Sequence, residues 1–154
     1  MFRLWNKPKR TVRKEVYYIG VYVGTFVHDG ERNYLVGWRT KNCRDEQERW
    51  DMIGGGGVEF GETLEEAVRR EIKEEIGADV ISLSCLGHKE TFREHEGKNT
   101  HWVEFYYKVL VDPKSVRNME PDMCGELLWR ALDSIPHPRH SHMDSNLEKY
   151  KHEL

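Results

Sequence analysis

Four consecutive glycines, Gly54 to Gly57, lead within a few residues into a helix signature whose apolar side contains two glutamates. Thr63 followed three residues later by Glu66 has the spacing of a reciprocal capping box, and Gly77 suits the residue that ends a helix. At about 100° per residue, Leu64, Ala67, Val68, Ile72 and Ile76 gather on one side, which predicts that this side is buried. Glu71 and Glu75 fall within the same side. Two carboxylates four residues apart repel, and burial without partners raises their cost, so something cationic must compensate. Glu74 lies at the flank, about 60° from Glu71, so three carboxylates converge at one end of the stripe. Hard divalent cations such as Mg²⁺ take such oxygen ligands while keeping waters and phosphates in the rest of their shell. Arg69 and Arg70 are expected to project elsewhere, and Glu65, Glu66 and Lys73 to face solvent.

The flanking elements predict a mixed α/β domain, a sheet covered by helices. Glu15 to Val27 is rich in β-branched and aromatic residues, and Asp29-Gly30 gives a turn before NYLVGW, so a hairpin is expected. Thr40 to Arg49 is polar and leads through Trp50 to the glycines. After the helix, Val80 to Leu86 and Trp102 to Val111 read as strands, separated by a polar segment, Lys89 to Thr100, with room for a further strand or hairpin loop. A short strand is expected at Leu127 to Leu132 and a short helix around Ser145 to Tyr150. On the second of the long strands, Trp102, Phe105 and Tyr107 are taken to alternate with Val103 and Tyr106, one side packing or stacking a base.

At 154 residues the chain fits one domain, with a basic lead-in over residues 1–14 and a polar C-terminal tail or helix over 137–154. The net charge of -3, with both signs well mixed, gives no electrostatic case for duplex nucleic acid or an anionic membrane. Cys43, Cys85 and Cys124 are odd in number and unpaired in spacing, which points to a reducing cytoplasm. Met1 to Arg13 has no apolar run of signal or anchor type. His137, His140 and His142 lack the separated pairs of a structural zinc site and read as a flexible polar tail.

From Gly56 to Ala78 the chain reads GGVEFGETLEEAVRREIKEEIGA, which resembles the Nudix box, G-x5-E-x7-R-E-U-x-E-E-x-G-U with U apolar. Gly56, Glu62, Arg70, Glu71, Glu74, Glu75 and Gly77 occupy its seven invariant places. With roughly 7% usage per residue type, chance agreement is on the order of 10⁻⁸ per starting point, so the match separates this chain from bearers of a lone glycine motif. Two departures are Ala78 at the last apolar place and Gly54 where a proline often opens the glycine run. Arg39, Trp50 and the segment NMEPDMCGELLW, Asn118 to Trp129, also resemble elements of Nudix enzymes acting on nucleoside and pterin triphosphates.

The resemblance implies a Nudix fold, a mixed sheet sandwiched between helices, and a hydrolase of the MutT-like, nucleoside triphosphate diphosphatase type. Phosphoanhydride hydrolysis mainly requires positioned water and neutralised charge. The resemblance further implies that Glu71 and Glu75 bind Mg²⁺, for which Mn²⁺ can substitute, with Glu74 and the Gly55 carbonyl assisting. Glu62 is implied to support the helix start and to reach the metal through water. Arg70 is implied to orient the glutamates. The general base is open between Glu74 and Glu120, with Glu71 third. Arg39 and Arg44 are candidates to clamp phosphates, and Trp102 to meet the base.

The expected partner is a small nucleotide-like diphosphate or triphosphate, and a homodimer is compatible with the sequence. Cleavage of a nucleoside diphosphate sugar or ADP-ribose is the alternative. Relatives of that kind often carry a proline or tyrosine fifteen to eighteen residues past the box. Here no proline occurs between Gly77 and Pro113, and no tyrosine between Gly77 and Tyr106. A catalytically silent nucleotide-binding module is disfavoured by the intact glutamates.

Overall fold

The computed structural model describes residues 19–154, so the basic lead-in and the first four residues of the expected opening strand lie outside the described residues. The elements follow in the order β1 (Ile19–His28), β2 (Tyr34–Arg39), β3 (Trp50–Met52), β4 (Gly56–Gly57), α1 (Leu64–Ile76), β5 (Val80–His95), β6 (Lys98–Val111), β7 (Cys124–Arg130) and α2 (Met143–Tyr150). The sheet runs β3-β2-β1-β6-β5, with β4 joined to β1 and β7 to β2. β1 and β6 are parallel, Ile19 opposite His101 through His28 opposite Leu110, and the other pairings are antiparallel. This is a mixed sheet between helices, the α/β architecture expected from the sequence.

The position of the glycine run follows from how β1 and β2 part. They pair only at the hairpin, His28 opposite Tyr34. Farther along, β2 turns to β3 and β7, while Tyr22 and Val23 of β1 take Gly57 and Gly56 as partners. The opening between the two strands therefore admits the glycine loop and delivers it beside α1. A loop carrying side chains would not enter. A Cβ on Gly54 would overlap Ile72, and one on Gly56 would overlap the Glu71 carboxylate.

Both faces of the sheet are covered. Ala67, Val68, Ile72 and Ile76 of α1 pack on Val23, Val27, Leu35, Tyr107, Val109 and Val111. Burial of each of the larger aliphatic side chains contributes about 1.5–3 kcal/mol. On the opposite face Phe26 and Tyr106 meet Tyr150 of α2, and Met143 of the same helix packs with Val36, Trp50 and Ile135. No helix among the described residues is long and apolar enough to cross a membrane.

Over Lys89 to Thr100 the hairpin-loop alternative holds and no further strand forms: β5 and β6 run through the segment and turn at Glu96 and Gly97, both at positive φ. Two expectations change. The region after His137 is not a loose tail. His140 donates its backbone N–H to Trp50, and Met143, Asn146 and Tyr150 are buried, because α2 supplies the apolar cover for one sheet face. The strand grouping of Trp102 with Phe105 and Tyr107 also fails, since side chains alternate with a period of two. Phe105 and Tyr107 face α1, whereas Trp102 shares the α2 side with Glu104 and Tyr106.

Candidate active site

The acidic centre is built on α1. The helix start is held by the Glu66 N–H donating to the Thr63 hydroxyl at 3.2 Å and the Thr63 N–H donating to the Glu66 carboxylate at 2.8 Å. At its end Gly77 adopts φ 67° and donates to the Lys73 carbonyl. With the rotation of the helix so fixed, Glu71 and Glu75 meet the glycine loop. The Gly54 N–H donates to the Glu75 carboxylate at 2.6 Å. Burial pushes the Glu75 carboxyl up to about 8; the Gly54 N–H opposes this, and Glu71, Glu120 and Asp51 add to it by repulsion. Burial likewise raises Glu71, with Arg70 opposing and Glu74 and Glu120 reinforcing the rise.

Arg70 does not project away from the carboxylates. Its guanidinium curls back along the helix, donating to Glu62 at 2.8 and 3.0 Å, to Glu71 at 2.6 Å, to Glu74 at 3.1 Å and to the Gly57 carbonyl at 2.9 Å. A long, forked side chain reaches acceptors that its Cα position on the helix does not indicate. Both oxygens of Glu62 are engaged, by Arg70 and by the Glu59 N–H. Glu74 is 56% exposed and accepts from Arg70.

Glu120 arrives from outside the helix. The Arg117 and Met119 N–H groups donate to the Ile76 and Glu75 carbonyls, lashing the segment after β6 to the end of α1. Asn118 accepts from the Glu120 N–H and donates to the Cys124 carbonyl, which shapes the turn. From this exposed turn the Glu120 charge acts on both Glu71 and Glu75.

Among the described residues no three acidic, histidine or cysteine side chains already converge closely enough to hold an ion. The donor chemistry nevertheless fits a hard divalent cation. Glu71, Glu75 and Glu120 repel one another beside a backbone loop, their oxygens are of the type such ions prefer, and Arg70 is committed to bracing.

The same glycine loop borders a cleft of about 390 Å³, lined by Tyr22, Gly55 and Gly57, by Trp102, Glu104 and Tyr106, and by Arg39, Arg44, Asp45, Asp51 and Arg93. The C-terminal segment contributes His140, His142 and Asn146. Trp102 lies over Gly20 and Tyr106 over Gly24, where a Cβ on either glycine would strike the ring. Arg39 is braced by Asp45 at 3.1 Å, by Asp51 at 3.4 Å and by the Glu46 carbonyl at 3.0 Å. Arg44, 64% exposed, meets Asp45 at 3.4 Å. Arg93 reaches Asp45 at 3.8 Å and His142 Nδ1 at 2.8 Å. Burial lifts Asp51 to about 7 against the pull of Arg39, and burial drops His140 to about 4.

Arg39, Arg44, Gly55, Glu62, Arg70, Glu71, Glu74, Glu75, Trp102 and Glu120 thus fall in the acidic centre, its bracing or the adjoining cleft, whereas Phe105, Tyr107 and His137 do not line it. Tyr22, Asp51, Arg93, Glu104 and the two histidines were missed. The alternation Gly20, Tyr22, Gly24 was a usable signal, a large residue between small ones on one strand face. Arg93 gave none, because its place depends on the length of the β5/β6 hairpin.

A NUDIX-domain model matches residues 19–150, and the chain belongs to the Nudix family. It is similar to a MutT NUDIX hydrolase from Burkholderia pseudomallei, with 29% identity over 86% of this chain and 98% of that chain and a TM-score of 0.74. A MutT protein from Methanosarcina mazei is 23% identical, with 89% and 96% covered and a TM-score of 0.68. The NUDIX domain of Shewanella oneidensis NrtR, complexed with ADP ribose, is 17% identical, with 91% and 90% covered and a TM-score of 0.67. With the family match and the first of these likenesses, the protein is a MutT-like Nudix pyrophosphohydrolase.

Proposed function

We propose that the protein hydrolyses a phosphoanhydride bond of a nucleoside triphosphate or closely related small nucleotide, releasing a monophosphate and pyrophosphate, with Mg²⁺ as cofactor and Mn²⁺ as a substitute. The observation that carries this reading is the mutually repelling group Glu71, Glu75 and Glu120, held against the loop that also borders the arginine-bearing cleft. Glu71, Glu75 and the Gly55 carbonyl would hold the cation, with Glu74 at the margin and Glu62 reaching it through water. When bound, such an ion lowers the pKa of water and neutralises phosphate charge.

Arg70 orients Glu71 and Glu74 and does not touch substrate, since its donors are spent on five protein contacts. Glu120 is the preferred base. It faces the same charge field as the ligands but among the described residues its carboxylate accepts no hydrogen bond, whereas Glu74 is drawn to Arg70. Arg39 and Arg44 bind phosphate oxygens at the cleft, and Trp102 offers a ring face to the base. The three free cysteines suit a reducing cytoplasm.

The test is turnover of a panel of nucleoside triphosphates, pterin triphosphate and nucleoside diphosphate sugars with Mg²⁺ in ¹⁸O-water. Label entering a single phosphate product of a triphosphate, with turnover abolished by chelator, is the expected result. Turnover confined to diphosphate sugars or ADP-ribose would replace the triphosphate reading with the alternative. Turnover undiminished in chelator would remove both.

A further inference from the structure

One hydroxyl sits where the glycine loop meets the cleft without a partner. Tyr22 projects from β1 between Gly20 and Gly24, on the face where Trp102 and Tyr106 of β6 lie over those two glycines. Its oxygen lies against Gly55, where a Cβ would come within 2.5 Å of it, and Tyr22 lines the cleft together with Gly55 and Gly57. Glu104 is opposite Tyr22 in the strand register, but its carboxylate accepts from Tyr106 at 2.7 Å instead. Tyr106 in turn accepts from Asn146 at 3.0 Å, so that neighbouring hydroxyl is fully used. Among the described residues the Tyr22 hydroxyl has no hydrogen-bond partner.

We propose that the Tyr22 hydroxyl is a phosphate-binding group, donating to a non-bridging oxygen of the substrate where the cleft meets the Gly55 loop. The Tyr22 hydroxyl is half-buried at the cleft wall with its donor uncommitted to protein, and a phosphate oxygen at this point supplies an acceptor. A phenol hydroxyl is an uncharged donor. A neutral donor suits the position, because it adds a contact to phosphate without competing with a cation for the carboxylates. The inference rests on the function proposed above and adds a residue outside the Nudix box.

Tyr22→Phe keeps the ring and removes only the oxygen. Its affinity for inorganic pyrophosphate with Mg²⁺, measured by calorimetry, should fall about tenfold, as should kcat/KM on the best triphosphate, with an unchanged melting temperature. Glu75→Gln is assayed alongside. If Tyr22→Phe matches the wild type in both readouts while Glu75→Gln loses turnover, the role of Tyr22 is refuted and the function stands. If Glu75→Gln keeps full turnover, the function fails and the Tyr22 proposal with it. If affinity and melting temperature fall together in Tyr22→Phe, Tyr22→Leu decides: an equal pyrophosphate affinity in both variants supports loss of the hydroxyl, and a further fall in step with stability overturns the proposal in favour of packing.

Discussion

Glu75→Gln should make the metal-free protein more stable while removing its activity. Burial raises the Glu75 carboxyl from an ordinary 4.5 to about 8. Each pH unit of displacement corresponds to about 1.4 kcal/mol. A group whose pKa is raised by folding contributes stability that is fully present below 4.5 and is lost as pH climbs through 8. The carboxylate therefore costs up to about 3 kcal/mol at pH 7 and up to about 5 kcal/mol above pH 9, both upper limits. Glutamine keeps an oxygen able to accept from the Gly54 N–H, so the amide escapes the penalty without abandoning the loop. Urea denaturation in chelator should show the two proteins equal near pH 4 and the variant gaining with each pH unit to about 8. Saturating Mg²⁺ should narrow the gap, since the ion stabilises only the protein that binds it. Turnover of the variant should be at least about a hundredfold lower, through loss of a ligand. A gap that is constant with pH, or a glutamate protein more stable in chelator at pH 7, would refute the reasoning.

Three further outcomes are expected. Arg70→Lys loses the forked contacts to Glu62, Glu71 and Gly57, so kcat should fall about tenfold, and wild-type kinetics would show that orientation by Arg70 is dispensable. Gly56→Ala places a methyl group on the Glu71 carboxylate and should lower kcat at least about tenfold while circular dichroism still reports a folded domain; unchanged turnover would contradict the close approach. His140, whose pKa is lowered to about 4 by burial and nearby arginines, should stay neutral at pH 5.5 by imidazole NMR. The stability its neutral ring contributes is present above 6.5 and lost as pH falls towards 4, so a midpoint near 6.5 would contradict its burial.

Much of the acidic centre was legible in the chain because its geometry is local. Capping by Thr63 and Glu66 and termination at Gly77 set where α1 begins and ends, and helical periodicity then puts Glu71 and Glu75 with the apolar residues. The turn at Asp29 and Gly30 likewise announces the β1/β2 hairpin. Such signals depend on residues a few positions apart, so they survive without knowledge of the fold. Arg70 shows their limit: periodicity describes where a Cα sits, whereas a long side chain goes where acceptors are.

Tertiary structure alone decided the cleft. Its walls come from β1, β2, β3, β5, β6 and the segment from His140 into α2, far apart in the chain and joined by strand pairing and helix cover. Only the parallel register of β1 with β6 lays Trp102 over Gly20 and leaves Tyr22 facing Gly55. Only the docking of α2, through Tyr150 against Phe26 and Asn146 against Tyr106, turns His140 and His142 from an expected tail into part of the wall. The sequence by itself determined the helix, its carboxylates and the glycine approach, because those follow from spacing. The surroundings of the substrate were determined by long-range packing, whose partners no local pattern names.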